Sequence, residues 1–264
     1  MKVYISVDLE GATGVTDWAE TELGNGEHKW ASKQMTLETL AACEGAIAAG
    51  ADEIYIKDAH DSGRNIDISD LPECATVIRS WTLTPESMMA GIDSSFDAAI
   101  FIGYHSMAGS NASPLAHTMN RDNCWVKING EKVAEFDLNA YVAASYGVPV
   151  VFVSGDEGIC NHARKLVPEI GTAGVKFGIG EATFSMAPKK GVELIKKGVE
   201  ESLKNIEKCK IELPEEFVFE ANFKEHGNAL RKAYYPGAEQ VDEHTVRYVA
   251  KDVADMMTAR MFIL

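Results

Sequence analysis

Lys2-Val3-Tyr4-Ile5-Ser6-Val7-Asp8-Leu9-Glu10-Gly11 opens the chain as a strand that runs into two carboxylates. Val3, Ile5, Val7 and Leu9 alternate with Tyr4, Ser6, Asp8 and Glu10. That period of two predicts Asp8 and Glu10 on one face of an extended segment. Two carboxylates so close repel each other, and removal from water adds to the cost; a bound cation offsets both best. The rest of the fold then has to supply the remaining donors.

The same strand character recurs at Ile54–Asp58, Ala98–Tyr104 and Val148–Ser154. The run Ala98-Ala-Ile-Phe-Ile-Gly-Tyr104 is almost wholly apolar, as a parallel strand covered on both faces requires. A helix is expected from about Lys29 to Ala49, rich in Ala, Leu, Met and Glu and stopped by Gly50. Another is expected from Leu138 to about Tyr146. This rhythm predicts an α/β fold with a mostly parallel central sheet flanked by helices.

From about Glu181 the texture changes. Residues 187–208 predict a Lys/Glu-rich surface helix, with Pro188 near its start and Val192, Ile195, Val199 and Ile206 on one side. Phe217, Phe219, Ala221 and Phe223 alternate with Val218, Glu220, Asn222 and Lys224, the pattern of a strand packed on one face. Thr245–Ala250 is a further strand, and a Met-rich helix runs from Val253 to the C-terminus. The expected organisation is an α/β metal-binding catalytic domain over residues 1–170 and a smaller C-terminal α+β domain over 171–264, with a soft boundary near 165–185.

Composition narrows the partners. With 264 residues and 46% hydrophobic content the chain can bury a sizeable core. A net charge of −15 disfavours nucleic acid and anionic membrane, which need a basic footprint. Cys43, Cys74, Cys124, Cys160 and Cys209 are dispersed, odd in number and form no CxxC, which argues against a disulfide framework or a zinc knuckle and fits a reducing compartment. No apolar stretch reaches 18 residues and no cleavable leader is legible, so a cytoplasmic location is expected.

Polar residues gather where the strands end. The first ends in Asp8 and Glu10, the second in Asp58-Ala-His60, the third in His105, and the fourth runs into Asp156. In an open α/β sheet, ligand sites lie beyond the carboxyl ends of the strands. Adjacent strands are about 4.8 Å apart, so side chains from roughly 10 Å away can meet. Taken singly, an Asp at a strand end is commonly a helix cap and a lone His a structural one. Together on one edge, Asp8, Glu10, His60 and His105 form a donor set for zinc, or for manganese or cobalt. The absence of thiolates points to Lewis-acid hydrolysis.

Ser6-Val-Asp8-Leu-Glu10-Gly11 resembles the SxDxEG signature of the D-aminopeptidase family of zinc peptidases. Lys57-Asp-Ala-His60-Asp-Ser62, Phe101-Ile-Gly-Tyr-His105, Leu115-Ala-His117-Thr-Met119, Asn129–Phe136 and Leu138–Tyr141 resemble further blocks of that family, in the same order, over roughly residues 1–160. The resemblance implies two zinc ions per subunit, with Asp8 bridging them, Glu10 and His60 completing one site, and His105 and Glu135 the other. It implies that His117 is the catalytic acid/base and that the substrates are short, D-amino-acid-containing peptides such as D-Ala-D-Ala. It also implies a homo-oligomer, a ring-like decamer. On spacing alone Glu131 could serve as well as Glu135.

Other readings stay open at this level. An amidase or phosphoesterase could use the same metal site, although no GxxxxGK[ST] or GxGxxG phosphate cradle is present. An L-selective aminopeptidase could share every ligand, and a non-enzymatic protein with a structural metal ranks last. Asp58, Asp61 and Asp156 are either orienting partners of the histidines or plain caps, and Asn139 and Asp137 are weaker candidates. His28, His162, His226 and His244 read as ordinary surface or loop histidines. Lys176 reads as a surface lysine in preference to a substrate contact. Met256, Met257 and Met261 read as core or interface, and Cys160 as an inert thiol.

Overall fold

A computed structural model describes residues 1–264. β1 spans Lys2–Val7 and is followed by α1 (His28–Ala48), β2 (Glu53–Asp58) and β3 (Ala75–Ile78). β4 (Ala98–Tyr104), β5 (Asn123–Ile128), β6 (Glu131–Lys132), α2 (Glu135–Ser145) and β7 (Val150–Asp156) come next. α3 (Glu157–Leu166), β8 (Gly171–Ile179), β9 (Ala182–Ser185) and α4 (Pro188–Ser202) follow. The chain ends with β10 (Phe217–Phe223), α5 (His226–Lys232), β11 (Glu239–Gln240), β12 (Thr245–Ala250) and α6 (Val253–Ile263).

Seven strands form one sheet in the order β3-β2-β1-β4-β7-β8-β9. Every neighbouring pair is parallel except β8 with β9. The chain builds β2 and β3 on one side of β1, then β4, β7 and β8 on the other. The order therefore reverses between β1 and β4, and such a reversal opens a crevice beyond the strand ends.

β4 is buried along its whole length, and β1 from Val3 onward. The alternation of the opening strand thus does not separate core from solvent. Tyr4 and Ser6 lie inside, where the Tyr4 hydroxyl donates to the Ala90 carbonyl at 2.8 Å and Ser6 Oγ to that of Met88 at 2.9 Å. β1 stops at Val7, so Asp8 and Glu10 stand in the turn beyond it and not in an extended segment. Two glycines let this turn lie against β4. A Cβ at Gly11 would fall 1.7 Å from the Tyr104 carbonyl oxygen, and one at Gly103 2.2 Å from that of Asp8. No other residue permits that approach.

α1 and α4 pack on each other and on the sheet, and α2 and α3 form a second helical group against β4, β7 and β8. Gly45 admits α4, since a Cβ there would lie 2.3 Å from the Lys196 carbonyl. The second sheet is antiparallel, in the order β11-β12-β10-β5-β6, with α5 and α6 against it. Along β10 the expected alternation holds: Phe217, Phe219, Ala221 and Phe223 are buried and the residues between them half-buried. β8 and β9 extend the first sheet although they follow residue 170, and β5 and β6 join the second although they precede it. One cluster of 66 buried residues runs through both sheets, so they share a core. No helix is long and apolar enough to cross a membrane.

Candidate active site

The fold brings Asp8, Glu10, His60, His105, His117 and Glu135 to the crevice between β1 and β4. Asp8 and Glu10 come from the turn after β1, His60 from the loop after β2 and His105 from the residue after β4. Glu135 opens α2, and His117 lies on the long loop between β4 and β5. All but His117 are 5 % exposed or less. Glu131, the rival on spacing, is an exposed residue of β6.

The distances knit these residues into one cluster. His60 Nδ1 lies 3.1 Å from Asp8 Oδ1 and 2.9 Å from Glu10 Oε2. His105 Nε2 lies 3.4 Å from Asp8 Oδ2 and 3.5 Å from Glu135 Oε2. His117 Nε2 lies 3.5 Å from Glu135 Oε1 and 3.9 Å from Glu10 Oε1. Donor atoms of Asp8, Glu10 and His60 converge within 4.8 Å of one another, as do those of Asp8, His105 and Glu135, and of Glu10, His105 and His117. Asp8 belongs to two of these groups.

Each imidazole is fixed from behind by a backbone carbonyl. His60 Nε2 donates to Thr21 O at 2.7 Å, His105 Nδ1 to Ser106 O at 3.0 Å and His117 Nδ1 to Leu115 O at 2.9 Å. In the neutral tautomer the nitrogen facing the cluster then carries a lone pair. The rings of His105 and His117 stack at 4.1 Å, and Trp18 meets His117 edge-on at 5.2 Å.

Asp8 Oδ2, Glu10 Oε2 and His105 Nε2 are buried without a hydrogen-bond partner, and all three face the cluster. Glu10 Oε2 is near His60 but not aligned with it as a hydrogen bond. Buried polar atoms without partners are rare and expensive. Asp8 Oδ2 faces His105 Nε2 at 3.4 Å and Glu10 Oε2 faces His60, and open atoms in such a His/carboxylate set fit a divalent cation such as zinc.

Electrostatics separates the members. Burial, reinforced by the Glu10 charge, raises the Asp8 carboxyl well above the ordinary range. Burial opposes ionisation of Glu10 and Glu135 too, but adjacent imidazoles outweigh it; Glu10 falls well below its usual value and Glu135 to about 2. Desolvation works against charged His60 and His105, yet the neighbouring carboxylates prevail, raising His60 well up and His105 to about 10. His117 goes the other way, lowered by burial and then by the His105 charge.

A second layer holds these residues in place. Asp156 accepts from Ser106 N at 2.7 Å and from Ile159 N at 2.8 Å, which fixes the residue after His105 and caps α3. Asp58 accepts from Asn65 Nδ2 at 2.9 Å and Ile66 N at 2.8 Å, and Asn65 Nδ2 also reaches the His60 carbonyl at 2.7 Å. Asp61 is exposed on the cleft wall, where its carbonyl accepts from Trp81 Nε1 at 2.7 Å. Lys176 overturns the surface reading. It is 3 % exposed, and its ammonium donates to the carbonyls of Glu10 and Val15, tying down the turn that carries Glu10. Buried at that spot, its pKa drops to about 8.

His28 is also buried, 3.0 Å from Asn65 Oδ1, and not on the surface as expected. His162 pairs with Asp137 at 2.7 Å, outside the cluster. Asn139 donates to the Tyr104 hydroxyl at 2.9 Å behind β4. Cys160 is buried, which pushes its thiol up to about 12 and keeps it inert. Met256 and Met257 are core residues. The cluster floors a cavity of about 510 Å³ whose walls include Trp18, Trp81, Arg121 and Arg260. None of these four carries a sequence signal, because they come from loops and from an otherwise apolar helix.

An open α/β sheet that collects three buried carboxylates and three histidines at its reversal point has the make-up of a metal-dependent hydrolase. The family model for D-aminopeptidase matches residues 1–262, and the chain belongs to that family. A D-aminopeptidase of Bacillus subtilis (strain 168) is 32% identical over 264 residues, covering 99% of this chain and 96% of the relative. The solved structure of DppA, a zinc-dependent D-aminopeptidase from Bacillus subtilis described as a self-compartmentalizing protease, superposes with a TM-score of 0.94. It is 32% identical and the match covers 100% of this chain and 96% of that one.

Proposed function

We propose that this chain is a zinc-dependent aminopeptidase that releases the N-terminal residue of short peptides containing D-amino acids, such as D-Ala-D-Ala. The observation that carries this reading is that Asp8, Glu10 and His105 each keep a buried, unpartnered atom inside groups of converging His and carboxylate donors. Asp8, Glu10 and His60 would hold one ion, and Asp8, His105 and Glu135 a second, with Asp8 shared. Bound there, zinc would supply Lewis acidity toward the scissile carbonyl and a water acidic enough to attack it near neutral pH.

The protein's own part falls to His117. Its Nδ1–H is committed to the Leu115 carbonyl, so Nε2 is the free basic atom. Stacking on His105 and the edge of Trp18 fix the ring. Nε2 takes the proton of the attacking water and returns it to the leaving amine, the work of a general acid/base. Burial lowers its pKa, which favours the unprotonated nitrogen that a base requires. Exposed Glu22 and Asp61 on the cleft walls favour a substrate that carries a free ammonium. A homo-oligomeric assembly, with ten copies, is part of the same reading; the description of DppA as self-compartmentalizing supports the assembly and carries no subunit number. Exposed Leu83, Tyr234 and Phe262 suit buried contacts between copies.

The test is hydrolysis of D-Ala-D-Ala beside L-Ala-L-Ala, with chelator and with zinc added back. Zinc-dependent cleavage of the D-form is expected. Cleavage of the L-form alone would retain the site and reverse the stereochemistry. Cleavage of neither would reject the aminopeptidase reading.

A further inference from the structure

Arg260 lies on α6 and lines the same cavity as the carboxylate cluster. It is 7 % exposed, an unusual place for a guanidinium without a carboxylate partner. Nη2 donates to the Pro85 carbonyl at 2.9 Å. Nε, also buried, has no hydrogen-bond partner, and no carboxylate forms an ion pair with the group. Guanidinium offers five donors in a planar fork, suited to bidentate binding of a carboxylate. A buried cation left this incomplete is costly and gains most from an anion brought by a ligand.

The cavity is electrically polar. Glu22 and Asp61 make one part of its wall negative. The cations on its lining are Arg260, Arg121 and whatever charge the histidines carry. Glu135 is the carboxylate whose charge acts on Arg260, so the guanidinium sits within electrostatic reach of the cluster. A short peptide is polar in the same sense, with an ammonium at one end and a carboxylate at the other, separated by about 7 Å in an extended dipeptide. Arg121 is a poorer receptor, being exposed and already spread over the Trp18 ring at 4.4 Å.

We propose that Arg260 receives the free α-carboxylate of the substrate and thereby sets a preference for dipeptides with an unblocked C-terminus. The inference rests on the aminopeptidase reading and specifies its substrate class.

The experiment compares D-Ala-D-Ala with D-alanyl-D-alaninamide, which differs only in lacking the carboxylate, at fixed zinc. The unaltered protein should favour the free acid by about 10- to 100-fold in kcat/KM, the effect of one charge-assisted pair, expressed mainly in KM. Arg260→Gln should bring the ratio of the two substrates close to one, Arg260→Lys should keep part of it, and Arg121→Gln should leave it in place. Equal kcat/KM for both substrates in the unaltered protein would overturn the assignment to a carboxylate, whether or not the variants fold, and would leave the aminopeptidase reading standing. A ratio that collapses in Arg121→Gln but survives in Arg260→Gln would overturn it as well. Failure to hydrolyse either substrate would remove both readings together.

Discussion

Asp58 and Asp156 are buried at least as deeply as Asp8 and Glu10, at 0 % exposure against 2 % and 3 %. All four stand at or just beyond the end of a parallel strand. Yet Asp58 and Asp156 each accept several hydrogen bonds, Asp58 from Asn65 and Ile66 in the loop that follows it, and Asp156 from Ser106 after β4 and from Ile159 N in α3. Asp8 and Glu10 each keep one oxygen without any partner. Burial is common to both pairs, and what separates scaffold from site is whether the hydrogen bonding is complete. A carboxylate saturated by donors is finished when the chain folds. One left open toward two neighbouring carboxylates and three imidazoles is finished by something the chain does not contain.

Substitutions on the two sides of this contrast should fail in different ways. Asp8→Asn should lower hydrolysis of D-Ala-D-Ala by about 10³-fold or more, since the shared ligand is lost. The zinc-stripped variant should melt no lower than the stripped parent, because a like-charge repulsion has gone. A variant that melts much lower would place Asp8 with the scaffold. His117→Ala comes next, with an expected loss of about 10²–10⁴ in kcat and unchanged zinc content by elemental analysis. Asp156→Asn belongs to the other side. It should cost about 1.5–3 kcal/mol in urea unfolding through its weakened charge-assisted bonds, with far less effect on turnover of the molecules that remain folded.

The smallest effect concerns Lys176. Its folded pKa of about 8 lies below the ordinary 10.5, so the unfolded chain binds more protons between these values. Stability should therefore rise as pH climbs from 8 to 10.5, with a slope of up to about 1.4 kcal/mol per pH unit. Lys176→Met should flatten that rise in urea unfolding measured across the window. Lys57, also lowered to about 8 by burial, keeps a contribution of its own in this window, so it is a slope unchanged by the substitution that would mean Lys176 does not titrate there.

Much of this was legible in the sequence. The apolar run of β4 and the alternation along β10 gave those strands without adjustment, because burial on two faces or on one face writes directly into the residue order. Asp8, Glu10, His60 and His105 were readable together because each follows a strand end on one edge of the sheet. Glu135 and His117 were not readable that way. They enter from a helix start and from a loop, whose direction no periodicity encodes, and only the family resemblance singled them out. Lys176 misled for a physical reason: a lysine alone reads as solvated, and the two carbonyls that receive it lie more than 160 positions earlier in the chain. Arg260 gave no sign for the same reason, since its neighbours in α6 are largely apolar and the cavity it faces is closed by distant segments. The joining of β5 and β6 to strands from the other end of the chain is likewise a long-range pairing that local patterns do not carry.

If metal completes the open carboxylates, zinc stoichiometry shows it. Chelator-stripped protein, Asp8→Asn and Asp156→Asn would each be titrated with zinc by calorimetry while D-Ala-D-Ala hydrolysis is followed in parallel. Two equivalents and restored activity are expected for the unaltered chain and for Asp156→Asn, and a loss of tight binding and of activity for Asp8→Asn. Two tight equivalents in Asp8→Asn, or full hydrolysis by the stripped protein, would contradict completion by metal.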